Sequence, residues 1–322
     1  MASDIIQKIA VIGPGMMGHA IAQEFAVGGF NVRLYGRSEN RLKQAMASID
    51  RNLTEMVDWE MMSVDQLSPS LNRIHTTTDL NEAGAQADIV IEAVVENLET
   101  KNALFRRLDS ICPPHTVFAS NSSSLLPSTM AKATERSDRF LVAHYFNPPF
   151  LMPLVEIVRG ENTSDDTVRQ VYDLMISIGK SPIICQKEAL GFIANRMQLV
   201  LWREAFNIVQ RGIASPQDVD LAVKNSFGRR LGVAGPFEIY EHNDGYDLTL
   251  QCEKYMLPDM DTSSTSYPLL LEMVAKGKLG AKTGQGFYDW TSEFKEQWRK
   301  RMLRNLVKYR KSEIEAPSKG GN

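Results

Sequence analysis

The chain has 322 residues, 43% of them hydrophobic and 23% charged, with a formal net charge of −3. That length exceeds what one small core covers, so two domains are expected. The composition is that of a soluble globular protein, and the charge balance excludes the basic footprint that a nucleic-acid backbone requires.

No apolar run reaches the length of a membrane span, and the first residues lack the basic, apolar, small-residue order of a signal peptide. Cys112, Cys185 and Cys252 are widely spaced and odd in number, which fits a reducing cytoplasm without disulfides. The histidines and cysteines show no metal-ligand spacing, so no metal is expected.

Ile5 to Ile12 is nearly all apolar, the pattern of a parallel strand buried on both faces. It runs into Gly13-Pro14-Gly15-Met16-Met17-Gly18, an amphipathic helix from His19 to Val27 stopped by Gly28-Gly29, and a strand from Asn31 to Tyr35. In this strand–turn–helix–strand context G-x-G-x-x-G signals dinucleotide binding. Gly13 makes the tight turn, Gly15 lets the backbone approach a pyrophosphate, and Gly18 lets helix and strand pack closely. Met16 and Met17 lie where the helix offers unpaired N–H groups to phosphate.

An NAD site usually ends its second strand in Asp or Glu, which bonds the adenine ribose. Here the strand ends Tyr35-Gly36-Arg37-Ser38. A small residue at Gly36, then Arg37 and Ser38, leaves room and complementary charge for a 2′-phosphate. NADP(H) is the favoured cofactor; the alternative is NAD(H), with Arg37 a solvated surface residue.

Asn40 to Trp59 reads as a long helix, with Leu42, Met46, Ile49, Leu53 and Met56 at helical spacing. A short helix covers Val64 to Leu67, and Ile74 to Thr78 is a strand. Asp88 to Val95 is a stronger strand, followed by Glu96 and a helix from Leu98 to Leu108. Ligands of an open α/β sheet sit beyond the carboxyl ends of its strands, which places Glu96 and Lys101 near the cofactor. Thr116 to Ala119 is the next strand. It ends in Ser120-Asn121-Ser122-Ser123-Ser124, which reads either as a helix cap or as a holder of substrate oxygen. Asn121 is grouped with the cofactor contacts.

A strand from Phe140 to Ala143 delivers His144. The stretch from His144 to Glu156 begins and ends with side chains that can hold a proton, and Pro148, Pro149 and Pro153 stiffen it. Val155, Ile157 and Val158 form a short strand carrying Glu156. A His oriented by a carboxylate on a neighbouring element is a general base. The competing reading is a core histidine and an unrelated glutamate. The glycine turn, Glu96, the serine cluster and His144 fall on one edge of one sheet, which favours the catalytic reading.

Thr163 to Ile178 reads as an amphipathic helix and Ser181 to Cys185 as a short strand. After Lys187 the pattern turns all-helical. The expected fold class is α/β: a Rossmann-type, doubly wound, mostly parallel sheet followed by an all-helical C-terminal domain. The boundaries are 1–187 for dinucleotide binding, 188–292 for a helical substrate and dimerisation domain, and 293–322 for a C-terminal helix and disordered tail. A helix from Ala189 to Gln210, carrying Phe192, Leu199, Phe206 and Val209, is too apolar for a solvated surface; it is either a dimer interface or a buried central helix. Asn195 within it is a candidate substrate contact. Further helices are expected at Pro216 to Val223, Phe237 to Tyr255 and Tyr267 to Lys276, and the basic stretch from Phe294 to Lys311 reads as a solvated helix.

Over roughly residues 5 to 292 these motifs, in order, resemble the L-3-hydroxyacyl-CoA dehydrogenase family. They are Gly13 to Gly18, Glu92 to Asn97 with Lys101, Ala119 to Leu125, His144 to Glu156, Gly191 to Arg196, Gly235 to Glu238 and Lys282 to Asp289. The resemblance implies a nicotinamide-binding domain, a helical dimerisation domain and a homodimer. It implies His144 as general base, Glu156 as its orienting partner, Ser123 and Asn195 as hydrogen-bond partners of the reacting oxygen, and Glu96 and Lys101 as cofactor contacts. The implied reaction moves a hydride between the β-hydroxyl carbon of an L-3-hydroxyacyl substrate and the cofactor.

There are departures. Gly36 stands where the family has its acidic ribose contact, and Pro153 where it has a Lys. Asn52 and Trp59 stand near positions that hold a Ser and a Lys beside CoA. Pro149 and Phe150 are similar to relatives acting on free hydroxy acids, the carnitine dehydrogenase and lambda-crystallin/gulonate dehydrogenase branch. The alternatives are therefore the same chemistry on a small free 3-hydroxy acid, and a non-catalytic, crystallin-like cofactor-binding protein. The intact set of His144, Glu156, Ser123 and Asn195 weighs against the last.

Overall fold

The computed structural model describes residues 6–243 and 245–315. The chain divides into two compact units: one reaches to Asn195 and takes in the chain again from Arg310, and the other spans Arg196–Tyr309.

The first unit is built on one eight-stranded sheet. Its strands are β1 (Lys8–Ile12), β2 (Asn31–Tyr35), β3 (Ile74–Thr77), β4 (Ile89–Glu92), β5 (Val117–Ser120), β6 (Phe140–Tyr145), β7 (Leu154–Arg159) and β8 (Ser181–Cys185). They lie in the order β3-β2-β1-β4-β5-β6-β7-β8. The first six are parallel, in the order of a doubly wound dinucleotide fold. β7 turns back antiparallel to β6, and β8 runs parallel to β7. Strands covered on both faces must be apolar along their whole length. Ala10 to Ile12, Ile89 to Ile91 and Phe140 to Ala143 are accordingly all buried.

Helices α1 (Met16–Val27), α2 (Glu39–Asp58), α3 (Leu67–Asn72), α4 (Leu80–Gly84), α5 (Leu98–Ile111), α6 (Pro127–Ala131) and α7 (Asp165–Ser177) belong to this unit. α2 buries Leu42, Ile49, Leu53 and Met56, a helical stripe. Asn97 starts α5 by accepting the Thr100 N–H, and Ser164 does the same for α7 with the Thr167 N–H.

Several boundaries differ from the sequence reading. Ile5 lies outside the described residues. α1 begins at Met16 rather than His19. β4 stops at Glu92 instead of Val95, because the Val94 N–H turns back to donate to the Glu92 carboxylate at 2.7 Å. β6 continues through Tyr145, so His144 sits inside a strand. The short helices α3, α4 and α6 have too few residues to show a period.

Helix α8 (Ala194–Gln210) begins later than expected, and Phe192 precedes it. After it follow α9 (Pro216–Asn225), α10 (Phe227–Arg230), α11 (Pro236–Asn243), α12 (Gly245–Met256), α13 (Pro268–Ala275) and α14 (Ser292–Glu315), whose residues from Arg310 belong to the first unit. The helix expected over Phe237 to Tyr255 is met by α11 and α12, on either side of Asp244, which lies outside the described residues. Among the described residues from Arg196 to Tyr309 none is buried. α14 continues past Glu313, and the disordered tail expected there falls on residues 316–322, outside those described. No helix among the described residues is long and apolar enough to cross a membrane.

Candidate active site

The glycine turn follows β1. Gly13 has a positive φ of 112°, and a Cβ there would lie 2.6 Å from the Ala93 carbonyl oxygen. A Cβ on Gly18 would lie 1.7 Å from the Gly13 oxygen. These two glycines are required by the protein itself. Gly15 differs: a Cβ there meets nothing within 4 Å. The open space above it, with the first turn of α1 carrying no side-chain cap, is a cradle for an anion. The residues present fit a bound dinucleotide.

At the end of β2 a Cβ on Gly36 would meet the Pro14 ring at 2.7 Å and Leu42 at 3.0 Å. A side chain at this position would require the Pro14 ring or Leu42 to shift. Arg37 and Ser38 beside it are exposed. Ser38 occupies the N-cap of α2 without using its side chain as a cap.

The end of β4 holds a buried charge network. Lys101 Nζ donates to both oxygens of Glu92 at 2.7 Å, and both side chains are essentially inaccessible. Ser120 Oγ donates to the same carboxylate at 2.5 Å. Lys101 also lies 3.3 Å from Glu96, which accepts from the Ser122 hydroxyl and from the Ser124 N–H and hydroxyl. Burial alone would push the Glu96 carboxyl up, but the Ser122 bond, the Lys101 charge and the Ser124 bond hold it below the ordinary carboxylate value. Two of the four serines of the cluster, Ser122 and Ser124, therefore brace Glu96. Lys101 stands behind Glu96 and does not face the cleft.

His144 and Glu156 are direct partners across β6 and β7. His144 Nδ1 lies 2.7 Å from Glu156 Oε2, and Glu156 is fully buried. The other carboxylate oxygen accepts the N–H groups of Ile193 at 2.9 Å and Ala194 at 2.8 Å, at the start of α8. Burial would raise the Glu156 pKa; the His144 bond, the Ala194 and Ile193 bonds and the His144 charge together bring it below the ordinary value. An ionised Glu156 can only accept, so Nδ1 carries a proton and Nε2 is left as the basic nitrogen. Phe192 aims the two N–H groups from a left-handed conformation with φ 50°. Such strain in a non-glycine residue persists only where its surroundings enforce it. Phe192 is buried, with its ring 5.5 Å from that of His144, and Phe146 lies 4.6 Å from the same imidazole.

A cleft of about 650 Å³ runs along this sheet edge. Of the predicted residues, Gly15, Met16, Met17, Glu96, Asn121, Ser123, His144 and Asn195 line it. Glu156 is behind His144, and Gly36, Arg37 and Ser38 stand at the neighbouring strand end. Asn121 accepts the Tyr145 N–H at 2.9 Å, tying β5 to β6. Sequence reading missed Phe146, Asn147, Val94 and Val95 as walls; an aromatic directly after the His144-Tyr145 pair was the available signal. It also missed the Ile193 and Ala194 N–H groups, which no side-chain pattern encodes. Burial and the Glu24 charge push the Tyr145 phenol well above its ordinary range, and its OH donates to Met175 Sδ, so Tyr145 is not the base.

The model "3-hydroxyacyl-CoA dehydrogenase, NAD binding domain" matches residues 8–189, and "3-hydroxyacyl-CoA dehydrogenase, C-terminal domain" matches residues 191–290. The chain is 37% identical to the mitochondrial hydroxyacyl-coenzyme A dehydrogenase of Homo sapiens, over 89% of this chain and 92% of that one. It is 29% identical to the 5-formyl-3-hydroxy-2-methylpyridine 4-carboxylate 5-dehydrogenase of Mesorhizobium japonicum, over 95% of this chain and 98% of that one. A crystal structure of a 5-dehydrogenase of this name, described as an NAD+-dependent dismutase, superposes with a TM-score of 0.89 at 28% identity, covering 97% of this chain and 100% of that one.

Proposed function

Because the chain belongs to the 3-hydroxyacyl-CoA dehydrogenase family, we propose that it is an oxidoreductase moving a hydride between the β-hydroxyl carbon of an L-3-hydroxyacyl substrate and a nicotinamide cofactor. The observation that carries the reading is the buried His144–Glu156 pair facing the cleft that holds the glycine turn. Gly15 and the start of α1 hold the pyrophosphate, and Glu96, kept ionised by Lys101 and the serines, holds a polar group of the cofactor beside it. When bound, the nicotinamide supplies or accepts the hydride.

In the oxidising direction His144 Nε2 takes the proton of the substrate hydroxyl. Glu156 keeps the ring in the required tautomer and stabilises the imidazolium that forms. Ser123 and Asn195 hydrogen-bond the reacting oxygen. In reduction the imidazolium returns the proton. Residues 1–187 carry the cofactor, 188–292 the substrate and dimer contacts. The test is acetoacetyl-CoA reduction by wild type and His144→Ala: a loss of about 10²–10⁴ in kcat with the cofactor still bound supports the reading, and comparable turnover by both proteins ends it.

The cofactor assignment is NADP(H). It is supported by the absence of a carboxylate side chain at Gly36, the exposed Arg37 and the uncommitted Ser38 hydroxyl. The assembly is a homodimer, located in the cytoplasm. Met197, Leu199, Val200, Leu201 and Trp202 on α8 are at least 37% exposed, and no described residue of the second unit is buried, so its apolar faces need a second copy. Light scattering of the purified protein tests this.

A second reading, a small free acid as substrate, has its own support. The relative named for a pyridine carboxylate aligns over more of this chain, 95% against 89%. Pro153 stands where the family has a Lys, and Trp59 stacks on Phe150 at 6.4 Å. Free 3-hydroxy acids assayed beside acetoacetyl-CoA separate the two.

A further inference from the structure

A second buried charge cluster lies away from the proton-handling pair. Lys180 is 4% exposed and Glu24 8%. Their ammonium and carboxylate are in direct contact. The ammonium also donates to the Pro149 carbonyl at 2.6 Å and sits 6.0 Å from the Tyr145 ring. Glu24 belongs to α1, the helix whose first turn faces the pyrophosphate cradle. Pro149 belongs to the turn between β6 and β7, which carries Phe146 and Asn147 into the cleft. The next residue, Ser181, donates its N–H to the Pro153 carbonyl at 2.9 Å. Two consecutive residues thus hold both halves of that turn.

Burying an ion pair is costly, and an apolar pair of like volume is often as stable. Stability alone therefore does not account for this pair. Its third contact does: the ammonium fixes a backbone carbonyl five residues beyond His144. On its other side the turn is seated by Phe150, stacked on Trp59.

We propose that Lys180, held by Glu24, is a positioning residue. It sets the substrate-facing turn at residues 146–153 against the cofactor helix, and it touches neither substrate nor cofactor. The inference rests on the proposed reaction only for its kinetic readout.

The test is Lys180→Met combined with Glu24→Gln, which removes both charges together. The Tm is expected within a few degrees of wild type and the NADPH Kd within about twofold, while kcat/KM for acetoacetyl-CoA falls about 10- to 100-fold, mostly through KM; displacement of about 1 Å suffices for the upper figure. Wild-type kcat/KM, or an equal weakening of NADPH binding, overturns the proposal. A readout independent of substrate is the Trp59 emission, taken as the difference between each protein and its Trp59→Phe counterpart. It shifts if the turn moves off Trp59, and an unchanged difference overturns the proposal even where wild type proves inactive on acetoacetyl-CoA, the result that would instead refute the acyl-CoA substrate. Should the double variant not fold, Lys180→Arg keeps the charge and displaces the donor. The same emission change and a KM raised at least threefold are then expected, and wild-type values overturn the proposal.

Discussion

Glu156→Gln isolates the role of the carboxylate in the dyad. In the native site one oxygen of Glu156 accepts from His144 Nδ1 and the other accepts two backbone N–H groups. A glutamine offers one oxygen and one NH₂. If the NH₂ faces Ile193 and Ala194, two part-buried donors lose their acceptor, at a cost of up to about 1–3 kcal/mol each. If the oxygen faces them, the NH₂ points at His144 Nδ1, which must then accept. Every buried group stays paired in this second arrangement, so it prevails. It forces the proton onto Nε2, the nitrogen that has to act as base. The expected loss is about 10²–10⁴ in kcat, or about 3–5 kcal/mol of barrier. The NADPH Kd should stay within about twofold, because the glycine turn is untouched. The assay is steady-state acetoacetyl-CoA reduction with fluorescence titration of NADPH. A folded variant within tenfold of wild-type kcat would refute the tautomer reasoning.

Three further outcomes are expected. Arg37→Ala removes a charge-assisted contact worth about 1.5–3 kcal/mol, so KM for NADPH should rise about 10- to 100-fold with NADH little changed; equal effects on both would reverse the cofactor assignment. Gly18→Ala should cost stability heavily, since its Cβ would collide with the Gly13 oxygen, whereas Gly15→Ala should melt like wild type yet bind NADPH at least tenfold more weakly. Glu156, Glu96 and Asp88 all have pKa values below their ordinary ones. Their contribution to stability is therefore present above the ordinary carboxylate range and is lost as pH falls through the lowered folded values. Urea midpoints should fall steeply below about pH 4.5, and less so in Glu156→Gln.

The parts legible in the sequence were those whose cause is local. The β1–turn–α1 unit could be read because the spacing of its glycines between an apolar strand and a helix is itself a local pattern, although the residue that Gly13 must clear is Ala93 on the neighbouring strand end, and His144 and Glu156 because a rigid twelve-residue separation places them on adjacent strands. The position of Lys101 past a strand's carboxyl end points to the cofactor, but its burial depends on Glu92, nine residues earlier on a strand. β4 was read too long because Ala93, Val94 and Val95 are apolar, while the bend is set by a backbone bond to the Glu92 carboxylate. Phe192 was assigned to a helix by its spacing, but its left-handed backbone and its packing on His144 depend on a strand some fifty residues away. The Lys180–Glu24 pair joins residues 156 positions apart, beyond any local pattern.

The reversal of β7 against β6 separates two kinds of inheritance. The dyad is locked by strand register, where a slip of one residue in either strand would turn that strand's member of the pair to the opposite face of the sheet. The eight residues between those strands answer to no such register. Changes in that segment alter the walls of the cleft without moving the register that holds the proton pair, within the limits set by its anchors at Pro149 and Pro153.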